Sequence, residues 1–200
     1  DADICKEVMK KAKEELGFSM DDTDIFITHA HEDHFGLTPY LAGQNTLIYC
    51  SSYCARMLTT GYKMFPPLCT YLRQSGLEED LSFPYSFHHS TGNESMQFHC
   101  VREGDCIKVG RYCMEVIETS GHTPDHMCLY DREQRLLFSG DHILADITPN
   151  NTIYELPWTA QKDMLALYLE NLTKIENLDI ELVFPGHRSI IRDVYLRICE

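Results

Sequence analysis

Apolar and polar positions recur along this chain with two different periods, and the switches between them mark its elements. Ile4, Val8, Ala12 and Leu16 fall at helical spacing, and Gly17 follows where a C-terminal cap belongs. Residues 25–28 (Ile-Phe-Ile-Thr) read as a strand, and so do residues 46–50, after which Ser51 can cap a helix running to about Leu58. Residues 35–41 suit a short helix that tolerates Pro39 in its first turn. From Gly104 onward the pattern becomes a meander: strands at 106–109, 112–119, 127–130 and 135–138, with a Gly110-Arg111 turn and a polar Asp131-Arg132-Glu133-Gln134 connection. Leu165, Tyr168, Leu169, Leu172 and Ile175 share one face of a helix expected over 159–175 with Thr159 as its cap, and residues 180–184 return to a strand. Helices and strands in alternation predict a layered α/β architecture.

Residues 61–100 interrupt this rhythm. They are rich in aromatics (Tyr62, Phe65, Tyr71, Phe83, Tyr85, Phe87, Phe98) and in turn formers such as Pro66-Pro67 and Gly92-Asn93. The span is read as a lid-like insertion over a site, although a small satellite core would have the same composition. Its histidines, His88, His89 and His99, are expected to be surface or core residues.

Composition narrows the class. Two hundred residues with 44% hydrophobic content suit a single domain with a substantial core, so residues 1–200 are taken as one unit. Nine cysteines (Cys5, Cys50, Cys54, Cys69, Cys100, Cys106, Cys113, Cys128 and Cys199) include no C-x-x-C pair, and several lie in strand-like runs. They read as reduced, mostly buried thiols of a cytoplasmic protein. No apolar run reaches bilayer length, and the N-terminus has no basic-then-apolar signal pattern, so no membrane partner is expected. A net charge of −14 repels phosphate backbones, and the short Lys10-Lys11-Ala12-Lys13 is the densest basic cluster. Nucleic acid is therefore not an expected partner, and a small molecule is.

The chemistry concentrates at strand ends. His29-Ala30-His31-Glu32-Asp33-His34 directly follows the strand at 25–28, and a turn there can aim His29, His31, Asp33 and His34 at one point. An H-x-H-x-D-H pattern should arise by chance on the order of once in several hundred chains of this length. Three further turns follow strands in the same way: Gly121-His122-Thr123-Pro124-Asp125-His126, Ser139-Gly140-Asp141-His142 and Pro185-Gly186-His187.

These residues and their order resemble the metallo-β-lactamase superfamily of metal-dependent hydrolases, from the first motif through His187. The resemblance implies a four-layer αβ/βα sandwich. It implies one ion held by His29, His31 and His122, a second by Asp33, His34 and His187, and Asp141 between them. Such a set leaves room for a bridging water, the open position that catalysis needs. The expected cofactors are two Zn²⁺, with iron or manganese as alternatives because His and Asp suit all of them. Asp33 is the expected catalytic carboxylate, orienting a metal-bridging hydroxide. His126 and His142 are candidates for steering ligands or substrate, and His142, Asn150, Asn151 and Tyr154 are candidate substrate contacts on the pocket rim.

Members of that family usually begin with several strands before the first helix, whereas this chain opens in the helix. It is expected to be a fragment lacking its N-terminal strands. The favoured function is hydrolysis of a small thioester, ester or lactone, most like the hydroxyacylglutathione hydrolase branch. A metal-dependent nuclease or phosphodiesterase and an iron dioxygenase on the same fold remain as alternatives.

Overall fold

The computed structural model describes residues 2–60, 97–151 and 163–200, and two sheets organise them. Helix α1 (Ala2–Leu16) ends at Gly17, which adopts φ 66° and donates its N–H to the Lys13 carbonyl at 2.9 Å. Its expected apolar stripe faces outward among the described residues, with Ile4, Val8 and Leu16 all exposed.

The first sheet has the order β1 (Ile25–Phe26), β2 (Ile48–Ser51), β3 (Phe98–Val101), parallel throughout. Between β1 and β2 the chain makes two short helices, α2 (Glu32–Phe35) and α3 (Thr38–Leu41), where one was expected; Pro39 lies in the first turn of α3. Helix α4 (Ser52–Thr60) follows β2, and the Ser51 hydroxyl caps it by accepting the Cys54 N–H at 2.9 Å. Residues 61–96, most of the span read as a lid, lie outside the described residues. Phe98–Val101, its far end, is a sheet strand.

The second sheet has the order β4 (Cys106–Val109), β5 (Tyr112–Glu118), β6 (Met127–Asp131), β7 (Leu136–Gly140), β8 (Leu182–Pro185). Its pairs are antiparallel except β7 with β8, which run parallel because α5 (Met164–Glu176) crosses over between them. Asp163 caps α5 by accepting the Ala166 N–H; Thr159, the expected cap, lies outside the described residues. A last helix, α6 (Val194–Cys199), covers the same sheet.

Side-chain alternation sorts the strands into three apolar layers. Ile25, Ile27, Ile48 and Cys50 face α4 on one side of the first sheet, while Phe26 and Tyr49 turn the other way to meet Val116, Met127 and Leu129 between the sheets. Ile117, Cys128, Tyr130 and Leu137 point outward from the second sheet onto Ile175, Val194 and Leu172 of the covering helices. Helix, sheet, sheet and helix are thus stacked as the αβ/βα pattern requires.

The reading of all cysteines as reduced thiols is corrected. Cys106 and Cys113 form a disulfide across the β4–β5 hairpin, because the register pairing Lys108 with Cys113 and Cys106 with Glu115 sets them diagonally, Cα atoms 5.6 Å apart. Among the free thiols Cys50, Cys54 and Cys128 are buried, whereas Cys5, Cys100 and Cys199 are exposed. No helix among the described residues is long and apolar enough to cross a membrane.

Candidate metal centre

The ends of β1, β5, β7 and β8 meet at one edge of the two sheets, and each delivers ligand-type side chains there. Beyond β1 the strand direction continues through Ile27, whose N–H donates to the Tyr49 carbonyl at 2.9 Å, so His29 leaves a fixed backbone and is fully buried. His31 precedes α2, whose first turn carries Asp33 and His34 and whose Phe35 is anchored in the core. The loops after β1 and β5 are tied together twice: the Ala30 N–H donates to Asp125 Oδ2 at 2.8 Å, and the Met127 N–H to the Thr28 carbonyl at 2.9 Å. The loops after β7 and β8 are joined by the Gly186 N–H donating to the Gly140 carbonyl at 2.8 Å.

Three overlapping groups of donor atoms result, each with all atoms within 4.8 Å of one another: His29, His31 and His122; His29, His34 and Asp141; and Asp33, His34 and His187. His31 Nδ1 lies 3.0 Å from His29 Nε2 and 3.1 Å from His122 Nε2. His34 Nε2 lies 3.1 Å from His187 Nε2, and Asp33 Oδ2 is 3.2 Å from the same His187 nitrogen. Asp141 reaches both sides, with Oδ1 3.4 Å from His34 Nε2 and Oδ2 3.5 Å from both His122 Nε2 and His187 Nε2. Gly186 makes this closeness feasible, since a methyl group there would stand 2.7 Å from Asp141 Oδ1 and 2.7 Å from His34 Cε1.

Electrostatics favour a cation in this cluster. Burial, reinforced by neighbouring imidazoles, pushes the His29 pKa well down; burial and the facing His122 hold His31 down to about 4. Burial also lowers His122, against the opposing pull of the Asn150 carbonyl and Asp141. These rings are therefore neutral at pH 7 and present lone pairs, the form that ligates a metal. The Asn150 carbonyl accepts from His122 Nδ1 at 2.6 Å, which puts the proton on Nδ1 and leaves Nε2 free to bind. Burial raises the Asp141 carboxyl, but the His34 imidazole, with His187 and His122, more than reverses it and the net direction is down. Its Oδ1 is buried without a hydrogen bond, an arrangement that a divalent ion would satisfy. The residues present fit such ions: imidazole nitrogens and carboxylate oxygens converge from strand ends, with His29, His31 and His122 held neutral by burial.

The structure thus brings together His29, His31, Asp33, His34, His122, Asp141 and His187. Two other expectations change. His142 is fully buried with its ring against Tyr168 of α5, 5.2 Å between centroids, so it packs rather than meets a substrate. Asn150 contributes its main-chain carbonyl to His122, while its neighbour Asn151 is half-buried and Tyr154 lies outside the described residues. His99 stands on β3 beside Tyr49, away from the cluster, and His88 and His89 are not among the described residues. Asp125 was not foreseen. A fully buried carboxylate raised by desolvation, it holds the backbone between His29 and His31, and its place in the Gly121–His126 loop was the one sequence signal for it.

A two-sheet α/β sandwich with histidines and carboxylates gathered at its strand ends defines a metal-site class of protein. The chain belongs to the Metallo-beta-lactamase superfamily, whose family profile matches residues 23–187. It is 24% identical over 174 residues, 87% of its length, to the atrochrysone carboxyl ACP thioesterase AacuM of Aspergillus aculeatus, of which it covers 40%. It is 32% identical over 87 residues, 44% of its length, to the acyl-coenzyme A thioesterase MBLAC2 of Gallus gallus, of which it covers 30%. Among solved structures it is similar to a metallo-beta-lactamase family protein from Thermus thermophilus, with a TM-score of 0.78 at 22% identity, over 96% of this chain and 64% of that one. That likeness shows the fold. The chain spans between about a quarter and just over half of the length of the curated relatives it matches.

Proposed function

We propose that this chain is the catalytic part of a metal-dependent hydrolase that cleaves acyl thioesters, with small esters and lactones as secondary substrates. The observation that carries the reading is the convergence of His29, His31, His122, Asp33, His34 and His187 in two groups that share Asp141. The choice of thioesters is supported by the two relatives described as thioesterases.

His29, His31 and His122 would hold one ion and Asp33, His34 and His187 the other, with zinc favoured and iron or manganese compatible with the same donors. When bound, such ions would polarise the substrate carbonyl and make a water nucleophilic near neutral pH. Asp141 spans the two groups and fixes their separation. The Asp33 side chain is 61% exposed and its Oδ2 lies 3.2 Å from His187 Nε2, so on this reading it would orient the attacking water and accept its proton. A leaving thiol with a pKa of about 8.5 departs as thiolate, so the site needs a proton acceptor more than a strong acid.

The test is an assay of metal-replete protein on acyl-coenzyme A and acyl-carrier thioesters, esters, lactones and phosphodiesters, with and without chelator. Thioester cleavage abolished by chelation and restored by zinc or manganese is the expected result. Metal-dependent cleavage of nucleic acid without acyl hydrolysis would overturn the proposal, and oxygen consumption by the iron-loaded protein without hydrolysis would do the same.

A further inference from the structure

His126 lies four residues beyond His122 and is fully buried, and both of its ring nitrogens are engaged. Its Nε2 is 3.1 Å from the Asp141 backbone nitrogen. An amide N–H can only donate, so Nε2 must carry the lone pair and the proton must sit on Nδ1. Nδ1 then donates to Thr119 Oγ1 at 2.7 Å. That hydroxyl, having accepted, donates onward to Cys128 Sγ at 3.3 Å. Burial pushes the Cys128 thiol up to about 12, so it keeps its proton and donates to the Ser139 carbonyl at 3.5 Å.

Every proton in this chain of bonds has one consistent direction. The chain starts at the Asp141 N–H and ends at the Ser139 carbonyl, enclosing Gly140. That glycine has φ 49°, and a methyl group on it would stand 2.8 Å from His126 Nε2. The β7–β8 register shifts between Phe138 and Gly140, so the strand leaves its regular ladder just before Asp141. At that point His126 Nε2 accepts the hydrogen bond donated by the Asp141 amide.

We propose that His126 is a positioning residue that, with Thr119, locks the left-handed turn at Gly140 and so sets where the Asp141 carboxylate stands between the two groups of histidines. It ligates nothing itself. The inference rests on the metal-binding reading above, which assigns Asp141 to both ions.

The test compares His126→Gln, whose side-chain oxygen can still accept the Asp141 N–H, with His126→Asn, which is too short to do so. Cobalt and zinc affinities are measured by competition with a chromophoric chelator, and thermal unfolding is followed in the metal-free proteins. The expected result is a loss of roughly 10–100-fold in metal affinity for His126→Asn, within the range for partners of ligating groups, with His126→Gln within about fivefold of wild type. Both variants should lose similar thermal stability. Equal metal affinities in the two variants would reduce His126 to core packing and overturn the proposal. If His126→Asn fails to fold, Thr119→Val and Thr119→Ser decide: Val should weaken metal binding and Ser restore it, and equal affinities would overturn the proposal. Wild-type protein that took up neither metal would instead overturn the metal-binding reading on which this inference rests.

Discussion

The two halves of the candidate centre use the same side-chain types in opposite surroundings. His29 is fully buried and His122 is 5% exposed, whereas the side chains of Asp33 and His187 are 61% and 41% exposed. The buried half is also braced from behind: Thr28 Oγ1 lies 3.0 Å from His29 Nδ1, the Asn150 carbonyl fixes His122, and Asp125 holds the Ala30 amide. A donor set that is neutral, dry and hydrogen-bonded loses little entropy when an ion arrives. The open half must order Asp33 and His187 at that moment. On the proposed two-ion reading, the buried half would retain its ion, and the open half would exchange one and admit substrate.

The largest expected effect belongs to the residue shared by both halves. Asp141→Ala should reduce bound metal to less than one ion per chain and lower thioester turnover by at least ~100-fold, the scale for losing an electrostatic element of a catalytic site. Elemental analysis together with kcat measures it, and retention of two ions would remove the shared carboxylate from the account. Asp33→Asn should affect the open half alone. One ion should remain, with kcat reduced by roughly 10–100-fold if Asp33 both ligates and orients water. Loss of both ions from this variant would erase the distinction between the halves.

A smaller effect is expected from Gly186→Ala, whose methyl group would press on Asp141 and His34. Overpacking of this kind costs about 1–3 kcal/mol, so the melting temperature should fall and metal affinity with it. An unchanged melting curve would mean that the two loops part easily. A separate effect, on the folded metal-free protein, is on acid stability. Burial first, then facing His122, holds His31 down to about 4, and burial holds His142 to about the same value, from 6.5. As pH falls below 6.5 the unfolded chain binds protons that the folded metal-free protein refuses, so stability declines until the pH drops below about 4. Melting temperatures of chelator-treated protein should trace that decline, and a flat profile across the window would contradict neutral buried rings.

Much of the site could be read in the sequence because its signals are local. His29, His31, Asp33 and His34 sit on one turn, and His122, Asp141 and His187 each follow a strand whose alternation is plain. The strands of the second sheet were legible for the same reason: Val116 and Ile117, or Met127 and Cys128, must serve opposite apolar layers. What escaped depends on contacts distant in sequence. Asp125 acts on Ala30, 95 residues away, and only the folded loops bring them together. His142 was read as polar and accessible because it adjoins Asp141, but the crossing of α5 sets Tyr168 against it and seals it. The Cys106–Cys113 pair was hidden by an ordinary-looking hairpin, since exposed strand positions carry no apolar pattern to mark them. The stripe Ile4, Val8, Leu16 has helical period and exposed positions, because periodicity specifies a helix face without specifying what covers it.

Stepwise metal titration of the chelator-treated wild-type chain, followed by calorimetry and by the visible spectrum of cobalt, tests the inequality of the two halves most directly. Two ions should enter in two resolvable steps, the tighter giving the spectrum of a histidine-rich site and the weaker adding oxygen-donor character. Saturation at a single ion, or two ions bound with equal affinity and leaving together under chelator, would contradict it.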